Sequence, residues 1–264
     1  MKVTIFTSNQ LRHISLINRL AKVVDEVFCV QECNTVFPGI VEDFFRKSEI
    51  MQTYFEYVMA AENRIFGEIE FLASNVRSLS IKSGDLNSLP LSALSTALES
   101  DVYVVFGASY IKEWLIDFLV DKGALNIHMG MSPYYRGSSC NFWALYDNNP
   151  NYVGATVHKL SKGLDSGPML YHCVPNLEDE NAFEFTMKAV KVAHSSLVSR
   201  INSGEIFTMK AVQQSKDKEV RYTRNSDFTD SVASNFLNRD FDSQTLSSIL
   251  GDLSYPKLLN PYFG

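Results

Sequence analysis

Short apolar runs recur along the first half of this chain, at residues 3–6, 27–30, 75–81, 102–106 and 124–128, with helically spaced segments between them. Runs of this length read as strands buried on both faces. Strands that alternate with helices make a mostly parallel sheet covered on both sides. The opening shows the unit in its simplest form: an apolar run at 3–6, then Ile14, Ile17, Leu20 and Ala21 at helical spacing, then a second run at 27–30. This βαβ start predicts a doubly wound, Rossmann-like α/β sheet. The Gly-x-Gly-x-x-Gly fingerprint is missing after the first strand, so no dinucleotide site is expected there.

Further along, helices are expected at residues 89–98, 111–120, 141–146 and 182–201, and strands at 153–160 and 169–175. The helix at 182–201 carries Phe183, Met187, Val190, His194, Leu197 and Ile201 on one stripe, and Gly204 suits its C-terminal cap. Residues 36–74 read as one or two inserted helices that cover part of the sheet or a site rim. Beyond about residue 208 the periodicity weakens. Residues 1–208 are therefore expected to form the main domain. Residues 209–264 are expected to form a small C-terminal extension: an appendage, a dimerisation element or a surface-wrapping tail.

A chain of 264 residues can build one sizeable core, and a 45% hydrophobic, 20% charged composition is that of an ordinary globular protein. The net charge of −6 argues against a large nucleic-acid footprint, which needs basic surface. No apolar run approaches the roughly 20 residues that span a bilayer, so no membrane partner is expected. The N-terminus reads as a strand and not as a signal peptide. Cys29, Cys33, Cys140 and Cys173 match no zinc spacing, and reduced thiols in a cytoplasmic protein are expected.

The chemistry concentrates between residues 125 and 167. Asn126 and His128 are two apart on a predicted strand, so both side chains point to one face. Asp165 follows in a Gly-Leu-Asp-Ser-Gly turn. An amide donor, an imidazole and a carboxylate that converge make an acyl-transfer site: the donor polarises a carbonyl, the imidazole manages protons, and the carboxylate sets the state of the imidazole.

Three linked motifs carry a resemblance here: Asn126-Ile127-His128, then Ser132-Pro133-Tyr134-Tyr135-Arg136-Gly137, then Leu164-Asp165-Ser166-Gly167. In order and spacing the chain resembles the folate-dependent formyltransferases across roughly residues 100–175. It departs from the family pattern at Met129-Gly130-Met131 and at Lys162, which bears on the acceptor more than on the reaction. The resemblance implies the formyltransferase fold, with N10-formyltetrahydrofolate as formyl donor and no metal. It implies that Asn126 and His128 support the tetrahedral oxyanion and proton relay, with Asp165 governing the imidazole. It also implies a folate-binding segment at Gly107, Ser109, Tyr110 and Ile111, with Leu164 beside it. No C-terminal β-barrel domain or basic surface is evident, so the chain looks more like the enzymes that formylate nucleotide-linked 4-amino-4,6-dideoxy sugars for bacterial surface polysaccharides such as lipopolysaccharide O-antigen. A homodimer is compatible with this. Other readings are formylation of glycinamide ribonucleotide or a hydroxyornithine, hydrolysis of formyltetrahydrofolate, and non-catalytic binding of folate or a nucleotide sugar.

Other residues have weaker signals. Arg12 and His13 follow the first strand, where loops meet ligands, and either touch a phosphate or simply start a helix. Tyr135, Arg136 and Gly137 either position substrate or form a plain loop. Trp143 either walls an acceptor pocket or packs. His194 reads as a satisfied core or interface histidine, the aromatics of residues 44–57 either pack in the core or rim or stack on a nucleotide base, and His158 and His172 receive no role.

Overall fold

The computed structural model describes residues 1–34, 47–239 and 241–264. Its strands are β1 (Lys2–Ser8), β2 (Glu26–Cys33), β3 (Val76–Lys82), β4 (Val102–Val105), β5 (Leu125–His128), β6 (Tyr135–Gly137), β7 (Ala155–Lys159), β8 (Met169–Val174), β9 (Arg221–Thr223) and β10 (Tyr262–Phe263). The α-helices among the described residues are α1 (Leu11–Ala21), α2 (Glu49–Phe66), α3 (Leu91–Leu94), α4 (Glu113–Asp121), α5 (Cys140–Tyr146), α6 (Ala182–Asn202), α7 (Asp230–Leu237) and α8 (Ser243–Gly251).

Eight strands form one sheet in the order β10-β8-β7-β5-β4-β1-β2-β3, and β6 and β9 pair apart from it. The run from β5 to β3 is parallel, as is β10 on β8, while β7 is antiparallel to both β5 and β8. This is the mostly parallel α/β sheet expected from the sequence. The connection reverses direction at β1, which lies between β2 and β4; such switch points open a crevice at the carboxyl ends of the strands.

Local sequence explains the main elements. β1 and β4 are buried on both faces, as continuous apolar runs require. Leu16, Ile17 and Leu20 turn the apolar side of α1 into the core and are fully buried. Each such side chain contributes roughly 1.5–3 kcal/mol, and Leu20→Ala would cost about 2–5 kcal/mol by leaving a cavity. Helix α6 starts at a capping box: the Asn181 side chain accepts from the Phe183 and Glu184 N–H groups, and Glu184 accepts from the Asn181 N–H. It ends where Gly204 enters the left-handed region at φ +76°.

One expectation is corrected. The helix expected at 89–98 shrinks to α3, flanked by 3₁₀ turns at Leu86–Ser88 and Ala97–Glu99. Pro90 precedes it, and the Ser95 hydroxyl donates to the Ser92 carbonyl at 3.1 Å, a local bond that competes with helix continuation. Residues 209–264 pack against the rest of the chain. β10 extends the main sheet, β9 pairs with β6, and Ala233, Phe236 and Leu246 enter a cluster with Tyr54, Phe142, Trp143 and Phe185. Strands of two or three residues carry too little pattern to be read in advance. In the insertion, α2 is present, while residues 36–46 lie outside the described residues. No helix among the described residues is long and apolar enough to cross a membrane.

Candidate active site

Asn126 and His128 project from the carboxyl end of β5, beside the switch point. Antiparallel pairing sets His158 of β7 opposite Asn126. Asp165 reaches the same place from the turn after β7, with its backbone in the left-handed region at φ +45°. Its carboxylate faces His128 Nδ1 at 3.3 Å and His158 Nε2 at 3.8 Å, and accepts from Asn126 Nδ2 at 3.3 Å. His158 Nδ1 lies 2.8 Å from the Lys159 carbonyl, which only accepts, so that nitrogen carries a proton. In neutral His158 the other nitrogen, Nε2, accepts from Asn126 Nδ2 at 3.0 Å. His158 thereby orients the Asn126 amide, a role the sequence did not suggest. Only the cross-strand register reveals it.

His128 is buried between two acceptors, with Nδ1 toward Asp165 and Nε2 3.3 Å from the Tyr135 carbonyl. Burial opposes charge on the ring, but Asp165 first and Cys140 second outweigh it, and His128 is held well above the ordinary histidine range. Burial would likewise raise the Asp165 carboxyl, yet the charge on His128 and its hydrogen bond drive it far below the ordinary carboxylate range. Imidazolium and carboxylate therefore coexist at neutral pH.

Two cavities meet at His128. One, of about 400 Å³, is lined by Asn126, Asp165, Leu164 and residues 107–111. Glu32 anchors this last loop, accepting from the Ser109 N–H at 2.5 Å and the Gly84 N–H at 2.8 Å. The Ser109 N–H is thus committed to the protein, whereas the N–H groups of Gly107, Ala108, Tyr110 and Ile111 have no acceptor among the described residues. Gly107 must be glycine, because its φ is +71° and a Cβ there would collide with His13 Nε2. The other cavity, about 380 Å³, has aromatic walls from Tyr54, Phe142, Phe183 and Phe228 and polar groups from Ser139 and Asn141.

The formyl transferase family model matches residues 89–201, which include Asn126, His128, His158 and Asp165. Residues 89–201 are a formyl transferase domain. The chain is 38% identical over 74 residues to the methionyl-tRNA formyltransferase of Thermosynechococcus vestitus, a match covering 28% of this chain and 22% of that protein. The chain thus spans less than a quarter of that relative's length. Over almost its whole length it shares the fold of a 4-N formyltransferase from Francisella tularensis, at 17% identity and TM-score 0.52, covering 99% of this chain and 91% of that one. It also shares the fold of an N-formyltransferase from Helicobacter canadensis solved with folinic acid and dTDP-3-aminofucose, at 14% identity and TM-score 0.52, covering 87% of this chain and 72% of that one.

Within the formyl transferase domain and around it, the remaining predicted residues divide. Arg12 and His13 reach the cavities, but Arg12 is paired with Glu62 of α2 at 2.9 Å, and burial, then Arg12 and His194, hold His13 well below the ordinary histidine range. Tyr110 lies across the rim, its hydroxyl donating to the Lys162 carbonyl. Gly137 lines the aromatic cavity, whereas Arg136 is paired with Glu219 at 3.1 Å. Tyr135 is buried and serves through its carbonyl. Trp143 does not wall either cavity; it is buried under Arg221, whose guanidinium lies 4.0 Å above its ring, and Phe142 takes the lining place. His194 is in the core, but neither ring nitrogen has a partner among the described residues. His172 is structural, bonding the Ser132 carbonyl and the Leu259 N–H. Phe44 and Phe45 lie outside the described residues.

Proposed function

We propose that this protein transfers the formyl group of N10-formyltetrahydrofolate to the amine of a nucleotide-linked 4-amino-4,6-dideoxy sugar, a precursor of bacterial surface polysaccharide. The observation that carries the reading is His128, paired with Asp165 and standing on the wall common to two cavities. The cavity with residues 107–111 offers unpaired backbone N–H groups to the acceptor atoms of a pterin. The aromatic cavity suits the methyl-bearing face of a deoxy sugar, with Ser139 and Asn141 as hydrogen-bonding groups. The proteins with this fold include one solved with folinic acid and a dTDP-linked amino sugar.

In the reaction the amine nitrogen bonds to the formyl carbon, the bond from that carbon to N10 breaks, and N10 gains a proton as the amine loses one. Asn126 and His128 act on the oxygen that becomes negative at the tetrahedral stage. Of the two bonds made by Asn126 Nδ2, the 3.3 Å contact to Asp165 is the longer, and that N–H turns most readily to a developing oxyanion. His128, charged beside Asp165, supplies positive charge to the oxyanion and a proton to the leaving nitrogen. Asp165 keeps the imidazole charged and oriented.

The test is tetrahydrofolate release from N10-formyltetrahydrofolate with a panel of dTDP-, GDP- and UDP-linked 4-amino sugars. Release that depends on one sugar, with the formamide as product, is expected. Release without any amine would make the protein a hydrolase, and release with another small amine alone would replace the acceptor.

A further inference from the structure

The segment at residues 212–223 lies beyond the formyl transferase domain and, among the described residues, makes no hydrogen bond to the His128 ring or the Asp165 carboxylate, yet it holds both loops that flank the imidazole. At one end Val212 and Met169 exchange backbone hydrogen bonds at 2.8 Å. Gln214 Nε2 then donates to the carbonyls of Asp165 and Gly167, both at 2.8 Å. At the other end the N–H groups of Val220 and Arg221 donate to the Tyr134 carbonyl at 2.8 and 3.0 Å. The Arg221 guanidinium pairs with Asp147, whose other oxygen accepts from the Tyr135 hydroxyl at 3.2 Å. Thr223 closes the ladder, its hydroxyl donating to the Ser138 carbonyl at 2.7 Å and its carbonyl accepting from the Ser138 N–H at 3.1 Å.

These ties converge on one ring. His128 Nδ1 faces the Asp165 carboxylate, and Nε2 faces the Tyr135 carbonyl. Asp165 is also a non-glycine residue at φ +45°. Such a conformation costs of order 1–3 kcal/mol and persists only where its surroundings over-determine it. Gln214 supplies two of the bonds that do so.

We propose that residues 212–223 form a strap that sets the geometry of the His128–Asp165 pair, with Gln214 and Arg221 as positioning residues for formyl transfer. Gln214 sets the Asp165 side of the ring and Arg221 the Tyr135 side. The proposal rests on the reading above for its kinetic consequence, but not for its structural one.

The experiment compares wild type, Gln214→Leu and Arg221→Ala by NMR titration of the His128 ring, identified by its loss in His128→Asn, alongside turnover with N10-formyltetrahydrofolate. Both variants should titrate His128 at lower pH than wild type. Turnover should fall about 10²-fold, the typical cost of a misplacement near 1 Å, while the KM for the donor changes little. Added guanidinium ion should restore both quantities in Arg221→Ala. If that variant does not fold, Gln214→Leu decides alone. A His128 titration unchanged in the folded variants would overturn the strap whatever the activity. A wild type that transfers no formyl group, with His128 still shifted in the variants, would refute the reaction and leave the strap standing.

Discussion

His194 offers a perturbation whose size can be worked out from the structure. It sits on α6, fully buried, with its ring 5.1 Å from that of Phe106 and 5.7 Å from that of Phe66, and with both nitrogens unpartnered among the described residues. Burial first, then the charges of Arg19 and Arg12, push its pKa down to about 3. An unfolded histidine titrates near 6.5. Between these values the unfolded chain binds a proton that the native one refuses, so stability is full above about pH 6.5 and falls as pH drops toward 3. Linkage puts the loss from this one residue at about 2 kcal/mol between pH 7 and pH 5, and about 4–5 kcal/mol by pH 3. His194→Leu keeps a similar volume and removes both the titration and the orphaned nitrogens. In urea denaturation at pH 7, 6 and 5, the variant should therefore lose about 2 kcal/mol less than wild type over that range. It should also be no less stable at pH 7, because it leaves no buried nitrogen unbonded. Equal losses in the two proteins would refute the reasoning, since every other titrating group is common to both.

Asp165→Asn removes the charge that holds His128 charged, leaving burial to depress the ring; the NMR titration of His128 should drop below the ordinary histidine range and turnover should fall about 10²–10⁴-fold with folate binding retained. In wild type the pair stays ionised from below the ordinary carboxylate range to above the ordinary histidine range, so its contribution to the pH–rate profile should be flat across neutrality, with losses only at the acid and alkaline ends. His158→Phe takes away the acceptor that orients Asn126; a hydrogen bond of about 1–1.5 kcal/mol predicts roughly a tenfold fall in kcat with little change in donor KM, measured by steady-state kinetics. Gly137→Ala drives a Cβ into the Thr223 carbonyl at φ +91°, and should destabilise the protein by at least about 1–3 kcal/mol in urea melts. A Gly137→Ala protein as stable as wild type would show that β6 and β9 yield freely.

The parts of this molecule legible in the sequence are those governed by local period. An apolar run buried on both faces announces a central strand, and a two-residue spacing places Asn126 and His128 on one face without knowledge of any neighbour. The capping box of α6 and Gly204 mark the ends of a helix through groups only a few residues apart. The Asp165 turn was legible through its order and spacing with the other two motifs, not through any local rule that would bring it to His128.

What only the tertiary structure decided depends on contacts between distant segments. His158 faces Asn126 because β7 runs antiparallel to β5 in one register, and a shift by one residue would turn it to the other side of the sheet. Arg12 is tied to Glu62 across the insertion, which no spacing along the chain predicts. Trp143 carries the composition of a pocket wall but is covered by Arg221, a residue of β9. Residues 209–264 lacked a period because their role is to bridge. Their bonds go to carbonyls of Tyr134, Asp165 and Gly167, and a backbone carbonyl looks the same in every residue of a sequence. Side-chain period is written locally along the chain, whereas register, ion pairing and backbone acceptance arise only when the sheet has brought its strands together.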